Sequence, residues 1–284
     1  MHFGSLTTAL ASFLNVRQQN GEWLLRIEDV DALRCKAEYS QQIIQQLETL
    51  GLHWDGEVSY QSDRTPLYEA ALAQLEQQQL TYPCGCSRKE IAAYQQAHQL
   101  NTTAYPGICR LHSCTKNITA IRLKTSDQII HLSDGNWGEH TLRACEQGDF
   151  IIKRKDGLIA YQLAVVVDDF QQQITEIVRG SDLWPLTAGQ CYLQQQLGYP
   201  RPSYFHLPLA MNQRGDKQSK QTKARPLDLS NVTQTLWSAL DFLNQQPPKT
   251  LLGASRDAVL QWAIEHWKPA LIGTRNRTIQ PEYE

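Results

Sequence analysis

No apolar run of about 18 residues occurs in this 284-residue chain, so no membrane-spanning helix is expected. The N-terminus lacks the charged-then-apolar plan of a secretory leader. A disulfide framework is not expected either. Seven cysteines, an odd number, in a chain this long suit a reducing cytoplasm better. A strong basic excess is also absent. The formal net charge is −2, the isoelectric point is about 6.4 and 20% of residues are charged, which excludes the strongly basic nucleic-acid binders but leaves room for a local patch. No internal repeat is found, and the frequent, often paired glutamines fall on helical faces. With 41% hydrophobic residues, the chain can bury a sizeable core and is long enough for more than one domain.

Along the chain, "SLTTALASFLNVRQQNG" places Leu6, Ala9, Leu10, Phe13 and Leu14 on one helical face and stops at Gly21. "EWLLRIED" reads as a buried strand ending in acids. "AEYSQQIIQQLETLG" is a second helix closed by Gly51, and "TPLYEAALAQLEQQQL" a third with Pro66 in its first turn. This order suggests a parallel sheet with crossovers. From residue 82 to 149 the texture changes: four of the cysteines cluster there, followed by the strands "AIRLK" and "IIHLSD", as in an insertion with its own small sheet. The core pattern resumes with "DFIIKR", "LIAYQLAVVVDD", "ITEIVRG" and a helix from Asp182 to Leu197. After Leu227 the chain turns helical, and from Thr274 onward a polar tail is expected to fray. The expected segments are 1–81 and 150–227 for two halves of a nucleotide-binding core, 82–149 for the insertion and 228–284 for a helical end.

Three groups of residues carry chemistry. "MHFGS" stands immediately before a helix, whose N-terminus attracts phosphate. There Gly4 would let a ligand approach the backbone, and His2 and Ser5 could donate hydrogen bonds. "MNQRGDKQSKQTKA" gathers Arg214, Lys217, Lys220 and Lys223 in a loop beyond the apolar strand "YFHLPLA". Such a run is either a solvated surface loop or a set of mobile donors to a polyphosphate, at the strand end where α/β sheets deliver loops to a ligand. Cys84 and Cys86 in "CGC", with Cys109 returning after a loop, suit tetrahedral zinc as a staple for a segment without a large core. Reduced thiols with no metal are the alternative, and His98, His112 and Cys114 compete for a fourth position. Cys35, Cys145 and Cys191 are isolated.

"HFGS" resembles the HIGH signature, and "KQSKQ" the KMSKS signature, of class I aminoacyl-tRNA synthetases. "LLRIEDVDALR" and "GLIAYQLAVVVDDFQQQITEIVRGSDL" resemble their glutamyl branch. The likeness covers most of residues 1–227 and is similar to a short paralogue without an anticodon-binding domain. Ser5 replaces the second signature histidine, and Gln218 stands where an apolar residue is usual. The upstream strand whose arginine and serine help hold the amino acid in relatives is not in the sequence, so impaired adenylate formation is expected of the chain.

The resemblance implies an α/β protein: a Rossmann-like class I synthetase core with a zinc-bearing insertion and a helical C-terminal segment. His2, Ser5, Lys217, Ser219 and Lys220 would be catalytic, with His2, Gly4, Ser5 and Lys220 on ATP. Glu28, Tyr161 and Arg179 would hold glutamate; read alone, these are a strand-end acid, a core aromatic and a salt-bridge partner, and they gain weight only together. The implied metal ligands are Cys84, Cys86, Tyr105 and Cys109, around a structural Zn2+. Implied partners are L-glutamate, ATP with Mg2+, and a tRNA(Asp) bearing queuosine, bound by a cytoplasmic monomer with Arg110, Lys153, Arg154 and Lys155 on phosphates. Two rivals stand beside this reading: a truncated glutamyl-tRNA synthetase charging tRNA(Glu), which the lack of an anticodon-reading domain disfavours, and a non-catalytic, zinc-stabilised RNA-binding paralogue.

Overall fold

The computed structural model describes residues 1–31, 35–112, 114–217 and 225–279. The first helix, α1 (Phe3–Gln18), buries Leu6, Leu10 and Leu14 completely, one turn apart on one face. It ends as the sequence indicates: the Gly21 N–H returns to the Val16 carbonyl at 2.9 Å, and a side chain at Gly21 would lie 2.6 Å from Val16. The expected strand "EWLLRIED" is reduced to β1 (Arg26–Ile27), parallel to β2 (Ser59–Tyr60). The cause is local. Trp23 exchanges backbone bonds with Asp55 rather than with a ladder: its N–H donates to the Asp55 carboxylate at 2.7 Å and its carbonyl accepts from the Asp55 N–H at 2.8 Å. Next come α2 (Ala37–Leu50), closed by left-handed Gly51 (φ 75°), and α3 (Thr65–Gln77), with Pro66 in its first turn.

Beyond α3 lie β3 (Thr81–Cys84), α4 (Arg88–Ala97), the single turn α5 (Ile108–Leu111), β4 (Ala120–Leu123), β5 (Ile129–Asp134), β6 (Gly138–Arg143) and β7 (Ile151–Lys153). The remaining elements are α6 (Tyr161–Gln171), β8 (Glu176–Gly180), α7 (Trp184–Leu197), β9 (Ser203–Leu207), β10 (Ala210–Met211), α8 (Val232–Phe242), α9 (Arg256–His266) and β11 (Arg277–Thr278). The main sheet runs β6-β5-β9-β8. β8 and β5 lie parallel to β9 with α7 as crossover, and β6 adds an antiparallel edge. The strands of 82–149 therefore do not make a sheet of their own. β4 joins β3 and β7, whereas β5 joins the main sheet, because its alternation turns Ile130, Leu132 and Asp134 inward.

Two apolar clusters flank this framework. One unites α1 with α8 and α9, and Trp267 Nε1 donates to Asn15 Oδ1 at 2.9 Å across that seam. The other unites α3, α6 and α7 over the main sheet. The expectation of a fraying tail is overturned up to residue 279. β11 pairs in parallel with β10, and Ile279 is 3% exposed, because the tail's backbone completes the edge of β10. No helix among the described residues is long and apolar enough to cross a membrane.

Candidate active site

A cavity of about 500 Å3 opens at the N-terminus of α1, with His2, Gly4 and Ser5 on one wall and Lys217 on the other. His2 caps the helix: its Nδ1 accepts from the Ser5 N–H at 3.3 Å, a bond that leaves Nε2 as the protonated nitrogen. A Cβ at Gly4 would meet the His2 ring at 3.3 Å and Ala210 at 3.4 Å, so the glycine keeps the cap seated. Across the cavity, the Lys217 ammonium donates to Asp182, just past β8. Ser219 and Lys220 lie outside the described residues.

A second cavity, about 310 Å3, is lined by Glu28, Tyr161 and Arg179, with Arg26 and Asp169. Ser12 and Val178 line both cavities, so the two adjoin. Three sequence candidates that looked bland singly are thus brought together. Glu28 lies 3.7 Å from Arg26, which also pairs with Asp169 at 2.9 Å and Asp168 at 3.8 Å. Asp168 is wholly buried and fixed by Arg64, Gln61 and Tyr68. The Glu28 side chain is 42% exposed at the cavity mouth, yet the surrounding walls thin the water about its carboxyl and push it above its ordinary value; Arg26 opposes this, and Asp169 and Asp168 add to it. Although Tyr161 is 40% exposed, thinned water about its hydroxyl and the neighbouring Glu28 push the phenol up to about 12, so it remains a donor at neutral pH.

Arg179 is 7% exposed, yet among the described residues no carboxylate comes within ion-pair distance of it. Its guanidinium is held by uncharged or polar groups: Nε donates to His206 Nε2 at 3.1 Å, Nη1 to Gln190 Oε1 at 2.6 Å and Nη2 to Thr187 Oγ1 at 2.8 Å. Sequence reasoning missed the acids behind Arg26 and the holders of Arg179. The available signals were the two aspartates closing "LAVVVDD" and the polar residues set into apolar strands at Asp134 and His206.

The thiols converge. Cys84, Cys86 and Cys109 place their sulfurs within 4.8 Å of one another, and the Tyr105 hydroxyl lies 3.4 Å from Cys84 Sγ and 3.5 Å from Cys86 Sγ. Ligands about 2.3 Å from a tetrahedral zinc are spaced in this range, so the donor set fits that ion. Burial pushes the Cys86 thiol up to about 11, a value that a bound dication would reverse. Gly148 (φ 68°) holds Tyr105 in place; a Cβ there would come within 2.7 Å of the Tyr105 backbone. Of the competing ligands, His98 bonds the Tyr94 carbonyl and stacks on that ring, and His112 is exposed at the end of α5. Cys114 packs near Gly85 but stands outside the sulfur cluster. The basic residues expected on phosphates are largely compensated. Arg110 pairs with Asp149, Lys153 with Glu69 and Arg154 with Asp31 and Asp156, while Lys155 donates to the Gly85 carbonyl.

Over residues 1–244 the sequence matches the family described as tRNA synthetases class I (E and Q), catalytic domain. Among curated relatives, "Glutamyl-Q tRNA(Asp) synthetase" of Yersinia pseudotuberculosis is 47% identical over 94% of this chain and 79% of its own length. The protein of that name from Pseudomonas putida strain W619 is 43% identical over 99% of this chain and 93% of its own. The fold is similar to that of the glutamate-tRNA synthetase of Elizabethkingia anophelis, with a TM-score of 0.81 at 21% identity; all of this chain is covered, and it spans 66% of that one. Matched by the family over most of its length, and by curated relatives over nearly all of it, the chain belongs to the class I tRNA synthetases of the E and Q type.

Proposed function

We propose that this protein activates L-glutamate with ATP, giving glutamyl-adenylate and pyrophosphate, and passes the glutamyl group to queuosine at the wobble position of tRNA(Asp). The observation that carries the reading is the junction of two cavities: one bounded by a helix N-terminus and a lysine, the other by an acid and a buried guanidinium without a described carboxylate partner. Adenylate formation needs in-line attack by a carboxylate on the α-phosphate and stabilisation of the departing pyrophosphate. No protein nucleophile is required, so positioning and electrostatics do the chemistry. In this reading Glu28 takes the α-ammonium, and Arg179, with Tyr161 beside it, takes the side-chain carboxylate. The α-carboxylate is then left toward the shared wall at Ser12 and Val178. His2, Gly4, Ser5 and the α1 terminus bind the triphosphate on one side. Lys217 faces it from the other, and Ser219 and Lys220 are the further donors that this reading assigns to the triphosphate. Residues 1–81 and 150–227 serve as the core, 82–149 as the insertion and 228–284 as the helical end, acting in the cytoplasm.

Glutamate-dependent exchange of pyrophosphate into ATP tests this reading, and its absence would favour the RNA-binding paralogue. The same assay has a pH signature. Glu28 binds an ammonium only when ionised, and its pKa lies above the ordinary 4.5. The glutamate KM should therefore rise on acidification, beginning at a higher pH than an ordinary glutamate would dictate. Glu28→Gln should raise KM at every pH and remove this limb of the profile. A limb that survives the substitution belongs to another group.

Cys84, Cys86, Cys109 and Tyr105 would hold zinc, which when bound supplies a structural cross-link between β3 and the turn at α5. These residues lie outside both nucleotide-facing signatures. Chelation is expected to lower the melting temperature and to loosen residues 82–149 in hydrogen exchange. Unchanged melting after metal analysis has verified removal would refute the structural role.

A further inference from the structure

Arg179 could recognise a carboxylate only if its charge is kept for the ligand and its fork is held still. A carboxylate bonded directly to the guanidinium would compete with the ligand. The structure places the counter-charge one residue further away. His206, fully buried on β9, receives Arg179 Nε–H at its Nε2, and its Nδ1 lies 2.6 Å from Asp134 Oδ2 at the end of β5, also fully buried. Asp134 is itself fixed: its Oδ1 accepts the backbone N–H groups of Asn136 at 3.0 Å and Trp137 at 2.9 Å. Burial alone would raise its pKa, but the His206 bond and these N–H bonds hold the carboxyl below its ordinary value, so it is ionised at neutral pH. An ionised Asp134 accepts only, so His206 carries its proton on Nδ1 and its Nε2 is an acceptor.

That tautomer is what Arg179 requires. Guanidinium has five N–H donors and no acceptor; His206, Gln190 and Thr187 take one each, leaving one further N–H on each Nη. Two N–H groups on neighbouring nitrogens form the fork that grips a carboxylate. The Tyr204 ring lies under the guanidinium, its centroid 5.0 Å from Cζ, and stacks on His206 at 11°.

We propose that Asp134 and His206 are positioning residues that orient Arg179 for the substrate's side-chain carboxylate, through a buried Asp134–His206–Arg179 chain running from β5 across β9 to β8. The inference rests on Arg179 being the carboxylate receiver. Asp134→Asn is nearly isosteric and keeps an oxygen for the turn N–H groups. Its amide donates toward His206, forces the proton to Nε2 and sets donor against donor at Arg179.

The test measures glutamate-dependent pyrophosphate exchange and melting temperature for the wild type, Arg179→Gln and Asp134→Asn, with the His206 ring nitrogens observed by 15N NMR. Asp134→Asn should raise the glutamate KM roughly 10- to 100-fold, as expected for a lost charge-assisted hydrogen bond, with the ATP KM and melting little changed. The wild-type ring should show Nδ1–H. Equal loss for both substrates, an unchanged glutamate KM, or an Nε2–H tautomer in the wild type would overturn the positioning role. The NMR measurement does so even if Asp134→Asn fails to fold. If Arg179→Gln uses glutamate as well as the wild type, the receiver reading itself falls. If only Arg179→Gln is impaired, the receiver reading stands and the chain is structural.

Discussion

Unmodified tRNA(Asp) should accept no glutamate from this protein, whereas tRNA(Asp) carrying queuosine should be charged and adenylate formation should proceed with no tRNA present. The acceptor in the proposed reaction is a hydroxyl of the queuosine cyclopentene ring, and an unmodified guanine at the wobble position offers no equivalent nucleophile. The contrast is therefore all or none rather than graded. Transfer should also weaken as salt rises, since tRNA is held largely through phosphates. The slope should be shallow, because Arg110, Lys153 and Arg154 are already paired with acids and Lys155 is engaged by a carbonyl. Measuring glutamate incorporation into tRNA(Asp) from cells with and without queuosine decides the matter. Robust charging of tRNA(Glu) at its 3′ end would overturn the proposal in favour of a truncated glutamyl-tRNA synthetase.

Lys220→Ala should lower the kcat of pyrophosphate exchange about 10²- to 10³-fold with a modest change in ATP KM, the pattern of a contact made mainly in the transition state. Lys217→Ala should cost less. Lys217 belongs to the fixed base of its loop: it bridges to Met211 and is paired with Asp182, a partner it must release before meeting a phosphate. That pair is more than a third exposed on each side, so water screens it and its release is inexpensive, but the competition dilutes any gain on binding. Lys220 is the second lysine of the late signature. Equal kcat losses for the two variants, or a pure KM effect at Lys220, would contradict this division of labour.

Helices were legible wherever apolar spacing and end signals agreed. Leu6, Leu10 and Leu14 gave α1, Gly51 closed α2 and Pro66 opened α3. The sulfur cluster was legible because two close thiols, Cys84 and Cys86, with a third, Cys109, returning after a loop, make a spacing that suits a metal site. Strand lengths and partners were less so. "EWLLRIED" has strand composition, but the Asp55 loop captures its backbone, and β11 hides in a polar tail because its pairing uses main-chain groups that composition does not report. Glu28, Tyr161 and Arg179 could be grouped only through the family likeness, since nothing local links three positions so far apart. Asp134 and His206 each stand out as a polar residue in an apolar strand, but their pairing was not legible, because it depends on the parallel register that sets Asp134 against Tyr204, two residues before His206.

The pairing of β10 with β11 has a consequence for biosynthesis. β10 leads directly into the lysine loop, and its partner is translated only after α8 and α9 have emerged. Gln213, at the root of the loop, also waits for the carbonyl of Ile279. Pairings between segments so distant in sequence form slowly, because chain entropy must be lost before they contribute stability. A ribosome-bound intermediate complete through β9 can thus assemble the glutamate cavity, with Arg179 held by Thr187, Gln190 and His206, while the edge that anchors the triphosphate-facing loop is still unformed. The anchoring of the triphosphate-facing loop is thereby timed to the arrival of residues 277–279, and chains stalled before them would hold an amino-acid pocket whose neighbouring loop lacks its edge partner.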